Sequence, residues 1–171
     1  MKYLFSTVLA FISLLLQFFL SPCISFIGIS PDFIIIFLVC AAPHLGISAL
    51  PMLAALLGAA FDLVASGGIF INTAVYVVFA LGLCGVRLLG TEQGFFVGAA
   101  ETAAGILLKG IISTAALYIL ELTQGISFIF FIMCLPSALY TAILFIPFYF
   151  LTGWLMSIRI KKSSDRTIIE H

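Results

Sequence analysis

Long apolar runs, interrupted only by short clusters of proline, glycine and polar residues, organise the chain. From Phe5 to Val86 the only formally charged side chains are Asp32 and Asp62. A bilayer core about 30 Å thick is crossed by about 20 apolar residues at 1.5 Å rise each, so these runs are the length of membrane helices. The breaks predict six of them. The first spans about 3–20, and Ser21 to Ser30, with Pro22 and Gly28, forms a loop or re-entrant turn. Pro31-Asp32 opens the second, over about 32–42, since proline suits a first helical turn. That helix looks too short to span alone. Pro43-His44 and Gly46 end it, and the third continues to about 65 with Pro51 as a kink. Ser66-Gly67-Gly68 is a tight turn before a fourth helix over about 70–89. A polar connection from Gly90 to Gly94 leads to a fifth over about 95–122. The sixth covers about 128–158, bent at Pro136 and Pro147. Strands fit poorly: the runs lack the alternation of a membrane barrel, whereas helices satisfy their own backbone bonds in lipid.

Composition agrees with the pattern. Hydrophobic residues make up 64% of the 171 and charged ones 8%, against roughly 45–50% and roughly 25% in soluble domains. The expected fold is therefore all-α: a polytopic membrane protein with about six transmembrane helices in one bundle over residues 1–160. Residues 161–171 form a basic cytoplasmic tail that is expected to be disordered. The apolar first segment behind Lys2 is read as an uncleaved helix, because Ser21-Pro22-Cys23 offers neither a signal-peptidase nor a lipoprotein cleavage pattern.

Basic residues orient the bundle. If six helices alternate, Lys2, Arg87, Arg159, Lys161, Lys162 and Arg166 fall on one face, leaving Lys109 alone elsewhere among the seven Lys and Arg residues. The positive-inside rule makes that face, with both termini, cytoplasmic. Tyr3 and Trp154 suit the aromatic belt at the same interface.

Polar groups inside lipid mark function, because a lone charge there costs at least about 2.5 kcal/mol on insertion scales. Asp62 ends Ala54-x-x-x-Gly58-x-x-x-Asp62, a small-residue face that admits a close neighbour. It is read either as an interfacial carboxylate near water, bonded to backbone groups of Ser66 and Gly67, or as a contact for a partner or substrate. Glu101 and Lys109 share the fifth helix, about 12 Å apart along its axis and roughly 80° around it, so they cannot pair. Gly94, Gly98 and Gly105 lie on much the same side as Glu101, which predicts an inward-packing face. Lys109 needs a carboxylate from another helix or an interior cavity.

Catalytic and cofactor patterns are missing. There is no H-E-x-x-H, G-x-S-x-G or P-loop, and the histidines are His44 and His171. Cys23, Cys40, Cys84 and Cys134 stand singly and read as buried, inert thiols. No cofactor, metal, nucleic-acid partner or enzymatic activity is expected.

The order Gln17, Pro31-Asp32-Phe33-Ile34-Ile35, Gly46, Gly58-Ala59-Ala60-Phe61-Asp62-Leu63, Ser66-Gly67-Gly68, Asn72 and Tyr76 resembles the bacterial rod shape-determining protein MreD family. Ala54 stands at an earlier glycine position of that family, and Ile71 where a glycine commonly follows the turn. The resemblance covers about residues 17–85. It implies a non-enzymatic inner-membrane component of the elongation complex that builds cylindrical cell wall. The implied partners are an MreC-type periplasmic scaffold and, indirectly, an MreB-type filament, a RodA-type glycan polymerase and its transpeptidase. The residues expected to contact partners or form a polar core are Asp32, Gly58, Asp62, Ser66, Gly67, Gly68, Asn72, Glu101 and Lys109. The family fold also resembles the substrate-binding subunits of energy-coupling-factor vitamin transporters, which makes vitamin binding the alternative reading. An ion or proton transporter is a third.

Overall fold

The computed structural model describes residues 2–25, 29–65, 70–90, 94–119 and 134–152. These residues are helical, with no strand among them. The first helix, α1 (Lys2–Leu15), runs on through a π-helical turn (Leu16–Leu20) and a last α-turn (Ser21–Cys23). It is followed by α2 (Phe33–Ala41), α3 (Ala49–Ala65), α4 (Ile71–Leu88), α5 (Phe95–Ile119) and α6 (Cys134–Thr152). Four stretches are long and apolar enough to cross a membrane: Ser6–Cys23, Ile71–Leu88, Phe95–Ala116 and Cys134–Thr152. At 17 residues α3 is slightly shorter, and α2 has only nine.

The short helix is the centre of the bundle. All nine residues of α2 are buried, and Ile34, Ile35, Ile36 and Leu38 have no exposed surface. Its sequence FIIIFLVCA has no polar side from which to meet water, so it can only be a core helix surrounded by others. It packs against α1, α3, α4 and α5, and Phe33 meets Phe148 of α6 with ring centroids 5.5 Å apart. At 1.5 Å per residue it runs only about 14 Å, half of the hydrocarbon thickness. One of its ends therefore lies at membrane depth.

Outward positions are as apolar as inward ones. Phe11, Met52, Leu56 and Phe96 are exposed, which suits a lipid solvent and would be a liability in water. Close packing comes from small residues instead. The α3 and α4 helices form an antiparallel pair, with Asp62 beside Asn72 at one end and Ile47 beside Cys84 at the other. Gly58 makes their approach possible: a Cβ there would lie 2.5 Å from the Thr73 Cα and 3.2 Å from the Tyr76 ring. Gly98 and Gly105 serve α5 similarly, facing Phe145 of α6 and Phe79 of α4, whereas Gly94 has open space and does not join that face.

A further expectation changes at Pro51. Pro51 does not kink α3 but sits in its first turn, since the helix begins at Ala49 after Gly46 O accepts from Ala49 and Leu50 N–H. A missing N–H costs nothing there. Gly90 closes α4 in the left-handed region at φ 77°, after Leu89 N–H returns to Gly85 O. The expected helix ends at 120–122, 128–133 and 153–158, the tail and the Ser66–Gly68 turn lie outside the described residues.

Replacing Gly58 by Ala should cost about 1–3 kcal/mol, because the new methyl meets backbone that has no room to yield. Gly46→Ala, into open space, should stay within about 0.5 kcal/mol. Unfolding midpoints of the two variants in detergent check the contrast.

Candidate functional site

A helix that starts inside a membrane exposes unbonded N–H groups where no water can reach them. The start of α2 meets this demand completely. Asp32 occupies the N-cap with extended backbone (φ −107°, ψ 96°), and its Oδ1 accepts from Ile34 N and Ile35 N at 3.1 Å each. Ile36 N–H reaches Asp32 O. The remaining donor, Phe33 N–H, is taken by Gln17 Oε1 at 2.7 Å. Gln17 lies in the π-helical turn of α1, where the looser winding is a frequent mark of a functional position. Its amide and the Ser21 hydroxyl both donate to Pro31 O, at 3.4 and 2.9 Å.

The second carboxylate oxygen of Asp32 faces the other way. Its Oδ2 accepts from Tyr76 Oη at 2.9 Å and from Lys109 Nζ at 2.5 Å. Lys109 Nζ also donates to Tyr76 Oη at 3.0 Å, closing a triangle among α2, α4 and α5. The ammonium lies 5.1 Å from the Tyr76 ring centroid and 5.7 Å from that of Phe61, within the range of cation–π attraction. Thus the carboxylate that Lys109 requires is Asp32, supplied by the half-length helix.

Asp62 answers the same need for α4. Phe70, at the N-cap, offers no side-chain acceptor. Across the helix pair, Asp62 Oδ2 accepts from Thr73 N at 2.7 Å and Thr73 Oγ1 at 2.8 Å, while Oδ1 accepts from Asn72 Nδ2 at 2.7 Å. Ala54, Gly58 and Asp62 are all buried on one face.

Both aspartates lie in the polar interior of the bundle. Asp62 has no exposed area and Asp32 only 3%. Their oxygens accept within the bundle, from helix-start N–H groups and from the side chains of Tyr76, Lys109, Asn72 and Thr73. Asp62 accepts from Asn72 and Thr73, and Ser66, Gly67 and Gly68 lie outside the described residues. Glu101 is half-buried on α5, within electrostatic reach of Arg87. Arg87 donates to Leu45 O at 3.2 Å, joining the end of α4 to the α2–α3 link. In that link, partial burial and the Arg87 charge hold the His44 imidazole below its ordinary pKa. The thiols differ from the uniform burial expected of them: Cys40 and Cys84 are buried, Cys134 is half-buried and Cys23 exposed.

A partly open cleft of about 250 Å³ borders the ion pair, lined by Lys109, Asp32, Ser113, Ser137 and Ile106 among others. A second, of about 420 Å³, lies on the other side of Gln17, between Phe18 and Phe61. The serines and Thr73 escaped the sequence reading. Ser113 could have been found, because it stands one helical turn beyond Lys109 on the same face; Ser137 and Thr73 have no such signal. Among the described residues, no three His, Cys, Asp or Glu side chains gather into a metal-binding group. Comparisons with protein-family models, curated proteins and solved structures return no match.

Lys109→Met should destabilise the bundle by about 3–5 kcal/mol, since it leaves a buried carboxylate without its cation. Adding Asp32→Asn should recover a large part of that loss, because asparagine still caps a helix and no charge then remains. A double-mutant cycle on unfolding in detergent measures the coupling. Asp62→Ala strands the Thr73 and Asn72 donors and should cost about 1–3 kcal/mol, while Ser48→Ala, at an exposed position, should be neutral.

Proposed function

We propose that this chain is a non-enzymatic component of the bacterial cell-shape and elongation machinery, held in the cytoplasmic membrane with both termini inside. One observation carries the reading: the residues of the MreD-like pattern meet one another in space. Gln17 binds Phe33 N and Pro31 O, Asp32 binds Tyr76, Asp62 binds Asn72, and Gly58 lies against Thr73 and Tyr76. Their order in sequence thereby acquires a physical cause, since each pair fixes one helix start or one close helix approach. A pattern maintained by such contacts describes a rigid body, as a docking component requires. Its contact surface would be the apolar outer faces, with the aspartates acting from within to hold those faces in register.

The partner of this reading is an MreC-type scaffold, with the RodA-type polymerase, its transpeptidase and the MreB-type filament attached through it. The orientation rests on the distribution of basic residues, and the contact of Arg87 with the α2–α3 link accords with those two segments sharing one face. The alternative, a vitamin-binding subunit of an energy-coupling-factor transporter, draws support from the cleft beside Lys109. Its volume of about 250 Å³ falls below the roughly 300–1,000 Å³ that enclose a typical small-molecule ligand, whereas the second cleft, about 420 Å³, falls within that range, so cleft volume does not separate the two readings.

Mild solubilisation of the tagged chain from its native membrane, followed by mass spectrometry, tests both. An MreC-type scaffold and a wall polymerase are the expected companions. Paired ATPases with a coupling membrane subunit would replace the proposal with vitamin uptake, and normal cell shape after depletion would remove it.

A further inference from the structure

We infer that the cleft beside Lys109 is a binding site for a small oxyanion, a phosphate or carboxylate group, at membrane depth. This goes beyond the cell-shape reading and does not depend on it.

The argument begins with the asymmetry of the ion pair. Lys109 and Asp32 cancel in net charge, but their exposures differ: the Lys109 side chain keeps 24% of its surface open and that of Asp32 only 5%. Asp32 is turned toward the start of α2, where its oxygens already accept from Ile34, Ile35, Tyr76 and Lys109. The ammonium lines the cleft. An ammonium has three donors, and the protein engages two of them, through Asp32 and Tyr76. Asp32 lines the cleft as well, so the pair is neutral at that wall, with the ammonium its more open end and one donor to spare.

Beyond the pair the lining mixes apolar Ile29, Ile106 and Cys134 with serines. Ser113 and Ser137 bring hydroxyls into the cleft from α5 and α6. The carbonyls at its edge are engaged: Pro31 O accepts from Gln17 and Ser21, and Ser30 O from Ser137 at 3.5 Å. With the Ser137 hydroxyl given to Ser30 O, the spare Lys109 donor and the Ser113 hydroxyl remain to meet a ligand in a space of about 250 Å³, which equals the liquid volume of about eight waters. That accommodates a phosphate or a carboxylate with a few attached carbons. Structural neutralisation of Lys109 requires only Asp32. It does not require an opening beside the ammonium that Ser113 and Ser137 also line.

The oxyanion could be a free solute or the headgroup of an anionic lipid, and two arms separate them. The full chain, delipidated in neutral detergent, is titrated with sodium phosphate against sodium chloride at equal ionic strength. In parallel it is placed in bilayer discs of phosphatidylglycerol or of phosphatidylcholine. The readouts are the unfolding midpoint and the rate at which a maleimide labels Cys134, which lines the cleft and is half-buried. Exposed Cys23 serves as the internal reference. A saturable rise in midpoint with severalfold slower Cys134 labelling is expected in at least one arm. Phosphate alone producing it identifies a free oxyanion, and phosphatidylglycerol alone identifies a lipid headgroup. The double variant Ser113→Ala/Ser137→Ala, which leaves the ion pair intact, should weaken the effect about tenfold, about 1.4 kcal/mol in affinity. No protection in either arm overturns the proposal, as does undiminished protection in the double variant. Should that variant fail to accumulate, the protection of Cys134 in the unaltered chain decides alone.

Discussion

Asp32 serves two masters with one carboxylate, and the bundle is built around that economy. Oδ1 closes the start of α2, and Oδ2 neutralises Lys109 and accepts from Tyr76. Neither task is optional in hydrocarbon. An open helix start leaves donors that water cannot reach, and a lone ammonium is costly. Joining them makes a single group hold α2, α4 and α5 together, with α1 attached through Gln17 and Phe33. Such networks gain strength from low dielectric only when every member is satisfied, and at the start of α2 each of the first four N–H groups has an acceptor.

The same logic explains the second aspartate. Asp62 holds the start of α4 from the end of α3, using Asn72 and Thr73. Gly58, one turn earlier, brings the backbones close enough for that reach. The two aspartates that look alike in sequence thus differ in kind. Asp32 couples a helix start to a cation from a distant helix; Asp62 ties two consecutive helices at their shared corner. The α4 helix links both sites, since Asn72 and Tyr76 lie one turn apart on the same face.

The buried polar groups hold the helices to one another, and the outer faces are apolar. A docking component of the kind proposed would need such rigidity, because ordering loose helices on binding would subtract from affinity. The exception is the cleft at Lys109, where the polar interior opens outward. It lies beside Pro31 and Asp32, at the start of the short helix.

Much of this was legible from residue order. Apolar run length gave six helices near their observed positions, and Pro31-Asp32 marked the start of a helix too short to span. The cost of a charge in lipid implied that Lys109 must have an interior partner. What sequence could not supply was the partner's identity. Lys109 and Asp32 are 77 residues apart, and Tyr76 and Asp32 are 44; no periodicity relates positions on different helices. Nor could it tell that Asp62 turns inward to Asn72 and Thr73, or that Pro51 begins a helix it might have bent. Composition and spacing determined the solvent, the helices and the list of groups needing partners, because those follow from local chain length and chemistry. Which group answers which, and where the polar core meets open space, was decided by how the helices pack around α2.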